Sequence, residues 1–247
     1  MKKAKHRLDM ILVDRGLAPS RERAKAMVMS GAVFVEGVRV DKPGTAFSVE
    51  TEVVVKGDDH PWVSRGGLKL AHALEEFGLD VTGRTALDIG ASTGGFTDVL
   101  LQGGAAQVYA VDVGHGQLDW RLRNDPRVVT LERTNARNLT TDQVPEAIEV
   151  VVCDASFIGL RTVLPAGLAL ATPGAVLVAL IKPQFEVGKD RVGKGGVVRD
   201  SALHTEVCEI VRDWLESLPD WTVIGLTESP IKGPAGNVEF LIAARRD

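Results

Sequence analysis

Two cysteines in 247 residues, Cys153 and Cys208, are too few for a disulfide framework or a cysteine-rich metal cluster, so no structural metal is expected. The reducing cytoplasm is the expected compartment. No stretch approaches the roughly 18 apolar residues of a membrane helix. The charged N-terminus also lacks the apolar core of a signal sequence. Neither secretion nor membrane insertion is encoded in a recognisable form. Cys153 ends the apolar run Val150-Val-Val-Cys153, where a thiol serves as a small buried hydrophobe rather than a nucleophile. The charged and apolar fractions, 25% and 45%, are ordinary for a globular chain, and the length suits one large α/β domain with a small companion.

What the chain does have is a charge asymmetry. Residues 1–25 carry eight basic side chains (Lys2, Lys3, Lys5, Arg7, Arg15, Arg21, Arg23, Lys25) against Asp9, Asp14 and Glu22, a balance of +5. With a net charge of −4, the remainder carries −9. A basic segment on an acidic body fits an anionic partner, of which nucleic acid is the commonest, although a solvated basic face has the same composition. Within this segment Leu8, Ile11 and Leu12 fall at helical spacing. Ser20 can cap a second helix that aligns Ala24, Met27 and Val28 on one side and Arg21 with Lys25 on another. Gly31 stops it. Two short strands around Glu36-Gly37 and a third near Glu52–Val55 complete a small α+β unit over residues 1–57. Residues 58–65 read as a linker and 66–247 as the larger domain.

In that larger domain Asp88-Ile-Gly-Ala-Ser-Thr-Gly-Gly-Phe96 follows a short apolar strand and opens a helix at Thr97-Asp-Val-Leu-Leu101. Glycines let the backbone approach a ligand, and the helix start offers free N–H groups to an anion. The spacing G-x-x-x-G-G departs from the G-x-G-x-x-G of a dinucleotide site. With an acid ahead of the loop for an ammonium and amides for a carboxylate, S-adenosylmethionine fits better than NAD. Asp88, Gly90, Ala91, Ser92, Thr93, Gly94, Gly95 and Phe96 are the candidate contacts. Asp112 ends the next strand, Gln107–Asp112, where a carboxylate can accept two ribose hydroxyls; Val113 is grouped with it. Asn135, after the strand Arg127–Leu131, can meet an adenine edge, or simply make a turn.

Further strands are read at Val150–Asp154, Ala175–Lys182, Trp221–Thr227 and Val238–Ile242, with a helix at Leu203–Leu215. The fold class predicted is α/β: a seven-stranded, mostly parallel, Rossmann-like sheet behind a small α+β N-terminal domain, with the ligand at the carboxyl ends of the strands. Asp154 and Lys182 terminate strands and so should project over the glycine loop. Glu239 is turned by strand alternation away from the face of Val238 and Phe240. Singly, Asp154 could cap a helix, Lys182 snorkel, Glu239 solvate an edge, and Lys69 lie on a helix surface. Jointly, charges of opposite sign at buried strand ends need one another.

At these residues the chain resembles known families. Arg7-Leu-Asp9, Leu12, Gly16, Ser20-Arg21, Ala24, Gly31, Val33, Val35, Gly37, Val40 and Pro43 resemble the S-four-type RNA-binding domain. Lys69, Asp154, Lys182 and Glu239 look like the K-D-K-E tetrad of FtsJ-like ribose 2′-O-methyltransferases. Residues 84–96, Asp112–Leu118, Arg133–Arg137, Lys182–Glu186 and Gly236–Phe240 are similar to one subgroup, the TlyA family, also labelled haemolysin A-like. The resemblance implies S-adenosylmethionine-dependent 2′-O-methylation of cytidine in ribosomal RNA. It implies 23S RNA of the large subunit, with 16S RNA of the small subunit as a further target. The chain stops at Asp247 without the C-terminal helix of some relatives, which tilts this expectation toward the large subunit alone.

A ribose hydroxyl needs its proton removed as it attacks, and Lys182 is the expected base, with Lys69 as neighbouring cation and Asp154 and Glu239 holding the amines. Arg7, Arg21, Arg23, Lys25, Arg65, Lys189 and Arg191 are the expected RNA contacts. His60 stands where relatives often carry a basic linker residue. Gly188–Lys194 matches G-x-x-x-x-G-K, but Gly195 replaces the magnesium-binding Ser or Thr, so this segment is read as a mobile basic loop rather than a nucleotide site. The rival readings are a non-catalytic RNA-binding assembly factor and a membrane-lytic protein. The second lacks an apolar span and could at most lie on a lipid surface.

Overall fold

A computed structural model describes residues 5–18, 20–29, 31–55, 60–233 and 235–247, without the side chains of Arg23, Ala26 and Lys189. Lys2, Lys3, Gly57, Asp58 and Asp59, and the RNA-contact expectations at Arg23 and Lys189, lie outside the described residues. The chain divides into two compact units, Met1–Pro61 and Trp62–Asp247. In the first, β1 (Lys5–Arg7), α1 (Leu8–Asp14) and α2 (Arg21–Met29) precede β2 (Val33–Val35), β3 (Val38–Arg39), β4 (Ala46–Ser48) and β5 (Val53–Val55). Strand β2 pairs antiparallel with β3 and with β5. The two-residue turn Glu36-Gly37 has positive φ at both positions, 50° and 79°, which matches the right-handed strand twist and favours glycine second. Leu8, Leu12, Ala24 and Val28 from the helices close over Val33 and Val35 from the sheet. A separate ribbon, β1 with β4, was not expected from the sequence.

The second unit contains α3 (Gly66–Glu76), β6 (Thr85–Ile89), α4 (Gly95–Gln102), β7 (Gln107–Val111), α5 (Trp120–Arg123), β8 (Val128–Leu131) and β9 (Ile148–Cys153). It continues with α6 (Leu160–Val163), α7 (Pro165–Ala169), β10 (Ala171–Ile181), α8 (Pro183–Glu186), α9 (Ser201–Glu216), β11 (Trp221–Glu228) and β12 (Phe240–Arg246). Seven strands form one sheet in the order β8-β7-β6-β9-β10-β12-β11. All pairings are parallel except those of β12, which runs antiparallel between β10 and β11. Side-chain alternation divides the core in two. Leu87, Ile89, Val151, Cys153, Leu177 and Ile181 face one cluster, while Ala86, Val108, Val150, Val152, Val178 and Leu180 face the other. Burial pushes the Cys153 thiol up to about 12, consistent with a packing role.

Strand limits matter for the site. Asp112, Asp154 and Lys182 each occupy the first position after a parallel strand. The last strand begins at Phe240 rather than Val238, so Glu239 sits just ahead of it. Because β12 is antiparallel, its start lies at the edge where the parallel strands finish. Glu239 therefore reaches the common edge by topology.

Candidate active site

Loop 90–94 between β6 and α4 separates two clefts. Gly90 has φ 83°, and a Cβ there would stand 2.8 Å from Ala155 Cα, so the loop can cross the end of β9 only with glycine. Gly94 has φ 96°, and a Cβ there would meet the Leu122 and Leu118 side chains. The first cleft, about 440 Å³, is lined by Gly90, Ser92, Asp112, Val113, Asn135, Asp154, Ser156 and Phe157 among others. Asp112 accepts the backbone N–H of Ser92 at 2.8 Å and of Gly114 at 2.7 Å, one on each carboxylate oxygen. These fix its plane and leave lone pairs toward the cleft. Asn135 caps a short turn, its Oδ1 accepting the Arg137 N–H at 3.1 Å.

Asp88 lies beneath this loop and lines neither cleft. It is fully buried, accepts the Thr97 hydroxyl at 2.6 Å, and its Oδ1 is buried without a partner. Burial pushes this carboxyl up from 3.8 to about 7.

The second cleft, about 580 Å³, shares Gly90, Ser92, Asp154, Ser156 and Phe157 with the first, and adds Ala91, Thr93, Gly95 and Phe96 from the loop and Lys69, Lys182 and Glu239 from elsewhere. All four tetrad side chains meet here. Lys69 Nζ lies 2.7 Å from Glu239 Oε2 and 3.5 Å from Asp154 Oδ2, while Lys182 Nζ lies 2.6 Å from Asp154 Oδ1. Lys69, Lys182 and Glu239 are buried, and two positive charges balance two negative ones. That balance is what makes burial of three of these charges beside the partly exposed Asp154 tolerable. Helix α3 brings Lys69 across from β12, so this lysine is not the surface residue its helical position allows.

The remaining expected contacts are dispersed. Arg65 lines the second cleft and donates to the Lys232 carbonyl. Arg191 is held by Glu206 through bonds of 2.5 and 2.6 Å. In the N-terminal unit Arg7 grips Asp9 with two 2.9 Å bonds and Arg21 adds a third at 3.1 Å; Lys25 is half-buried on α2.

Two residues were missed by sequence reasoning. Ser156 Oγ accepts from Lys182 Nζ at 2.9 Å. Phe157 is 91% exposed, has φ 65°, and its ring lies 5.2 Å from that of Phe185. A large apolar side chain held outward in a strained backbone at the junction of two clefts suits stacking on a planar ligand. Their signal was position alone, two and three residues after a strand-end acid.

Comparison with known proteins agrees with this geometry. Residues 62–246 match the FtsJ-like methyltransferase family and residues 6–53 match the S4 domain. The 16S/23S rRNA (cytidine-2′-O)-methyltransferase TlyA of Mycobacterium tuberculosis is 51% identical over 97% of this chain and 89% of its own length. Hemolysin A of Brachyspira hyodysenteriae is 40% identical over 95% of this chain and 98% of its own. A solved Streptococcus thermophilus structure described as a haemolysin superposes with a TM-score of 0.76 at 45% identity, covering 98% of this chain and 88% of that one. Among the described residues no helix is long and apolar enough to cross a membrane. The chain belongs to the FtsJ-like methyltransferase family, in the TlyA-type arrangement with an S4 domain ahead of the methyltransferase domain.

Proposed function

We propose that this protein is a cytoplasmic S-adenosylmethionine-dependent methyltransferase that 2′-O-methylates cytidine ribose in ribosomal RNA. The observation that carries the reading is the Lys69–Asp154–Lys182–Glu239 cluster, buried but for Asp154, at the junction of two clefts. One cleft suits the cofactor and the other the nucleotide, with the amine of Lys182 beside their shared wall. The M. tuberculosis relative, which acts on cytidine in 16S and 23S RNA by its name, supports the substrate.

The residues present fit the cofactor. Asp112 is pre-set for ribose hydroxyls, Val113 and Asn135 flank the adenine end, and Gly90, Ala91, Ser92, Thr93, Gly95 and Phe96 are placed for the amino-acid end, while Gly94 lines neither cleft and serves the turn. Asp88 lines neither cleft, so it supports the loop from beneath, where an ordered water would give its partnerless oxygen a donor. When bound, S-adenosylmethionine supplies an electrophilic methyl group. Lys182 takes the proton from the ribose hydroxyl, Asp154 holds that amine in place, and Lys69, anchored by Glu239, pairs with Asp154 from the other side. Phe157 offers its face to the target base. Arg7, Arg21, Arg23 and Lys25 of the S4 unit, with Arg65, Lys189 and Arg191, contact phosphates.

The test is methyl transfer from labelled cofactor to 16S and 23S RNA and to both isolated subunits, followed by nucleoside mass spectrometry. 2′-O-methylcytidine in any substrate supports the reading. Binding of cofactor and RNA without a methylated nucleoside would favour the assembly-factor reading instead.

A further inference from the structure

The line of alternating charges does not end at Lys182. Its Nζ also donates to Ser156 Oγ, and Ser156 is an exposed residue on the wall shared by both clefts. A lysine amine rotates freely about Cε–Nζ, and its use as a base depends on where the lone pair points. Two directed hydrogen bonds govern that rotation here: 3.1 Å to the Asp154 backbone carbonyl and 2.9 Å to Ser156 Oγ. The 2.6 Å contact with Asp154 Oδ1 lies off the hydrogen-bonding direction, so it restrains the position of the nitrogen more than its rotation.

We propose that Ser156 is a positioning residue that orients the Lys182 amine toward the ribose hydroxyl, an inference that rests on the proposed role of Lys182 as base. Lys182 acts as base in its deprotonated form, its own proton having left to solvent, and that neutral amine has two N–H donors and one lone pair. With one donor on the Asp154 carbonyl and the other on Ser156, the remaining tetrahedral direction carries the lone pair. The ribose proton moves to Nζ as the oxygen–methyl bond forms, and the electrons of the breaking carbon–sulfur bond go to sulfur. Ser156 makes and breaks no covalent bond in this step. The backbone carbonyl is present whatever the side chain, so Ser156 is the anchor that a substitution can remove.

Ser156→Ala, Ser156→Thr and Lys182→Ala are to be compared with wild type in single-turnover methylation of ribosomal RNA. S-adenosylhomocysteine binding is measured separately by calorimetry, and folding by thermal melting. For Ser156→Ala the rate is expected to fall roughly 10- to 100-fold, with KM for RNA and Kd for S-adenosylhomocysteine within about twofold of wild type. Ser156→Thr, which keeps the hydroxyl, should recover to within about threefold. In cofactor-free, ¹⁵N-lysine-labelled protein, the Lys182 Nζ protons should exchange faster with water once Ser156 is alanine.

A wild-type rate in Ser156→Ala, or no recovery with threonine, overturns the proposal. A raised KM at unchanged rate overturns it too, marking Ser156 as an RNA contact. If wild type transfers no methyl, or Lys182→Ala keeps its rate, the base reading itself fails. The exchange measurement then decides alone whether Ser156 holds the amine. Ser156 is exposed, so alanine there leaves the packed core intact.

Discussion

Each unit of this protein contains an aspartate set between two cations, and the two clusters are built inside out relative to one another. In the S4 unit the Asp9 side chain is fully buried while Arg7 and Arg21 remain 47% and 51% exposed. In the methyltransferase unit Asp154 is 20% exposed and Lys69 and Lys182 only 8%. An inward acid with outward guanidinium groups fixes the direction of two cations without withdrawing them from water, which suits contact with phosphates. An outward acid with inward amines removes the cations from solvent, which suits proton transfer. On the proposed reading, the same ion-pair chemistry serves binding or reaction according to which partner is exposed.

The largest effect should come from the reactive cluster. Lys182→Ala is expected to lower methyl transfer by about 1000-fold or more, while S-adenosylhomocysteine binding, measured by calorimetry, is retained. Next is the contrast between Asp154→Ala and Asp9→Ala. Removing Asp154 leaves the buried Lys182 amine without its acid, while Lys69 keeps Glu239, and should lower unfolding stability by about 3–5 kcal/mol. Removing Asp9 leaves two arginines that water already solvates, and the loss should be nearer about 1–2 kcal/mol. Urea denaturation of the full chain checks the order, and a larger loss for Asp9→Ala would break the comparison.

How much of this was legible follows from what each feature depends on. The glycine loop, Asp112, Asp154 and Lys182 were readable because an apolar run followed by a polar residue marks a strand end, and parallel strands end on one edge. Glu239 was named on strand alternation, but its place depends on β12 running antiparallel, which a short apolar run does not encode. Lys69 sits on a helix whose partner is distant in sequence, so only the resemblance singled it out. The outward placement of Phe157 depends on backbone with φ 65°, which its residue type disfavours, and Ser156 depends on the rotamer of Lys182. The partial neutralisation of Arg191 by Glu206 and the bond from Arg21 to Asp9 join separate elements, whereas Arg7 and Asp9 are two residues apart and their pairing is local.

A third aspartate sharpens the contrast through pH. Arg7, and then Arg21, hold Asp9 down from 3.8 to about 2, so its contribution to stability is complete above 3.8 and lost as pH falls through about 2. Asp88 has no cation, and burial raises it to about 7. Its contribution is complete below 3.8 and lost as pH rises through about 7. Cofactor-free protein should therefore lose stability in the methyltransferase transition between those two values, and Asp88→Asn should flatten that slope. Equal slopes in the two proteins, measured by denaturation across pH, would show that Asp88 does not titrate in this range.

The smallest effect separates charge from geometry at Arg21. Its Nε is engaged by Asp9 at 3.1 Å, which leaves the rest of the guanidinium to face outward. Lysine keeps the charge but cannot bond Asp9 and present a second planar donor set at once. Arg21→Ala should weaken RNA binding several-fold and reduce the slope of log affinity against log salt by about 0.7–0.9, the value of one phosphate contact. Arg21→Lys should weaken binding about two- to threefold with the slope unchanged, because the counterion count is conserved while the fixed direction is lost. If lysine restores full affinity, the outward arginines act only as charge, and the buried Asp9 serves the fold rather than the orientation of the cations above it.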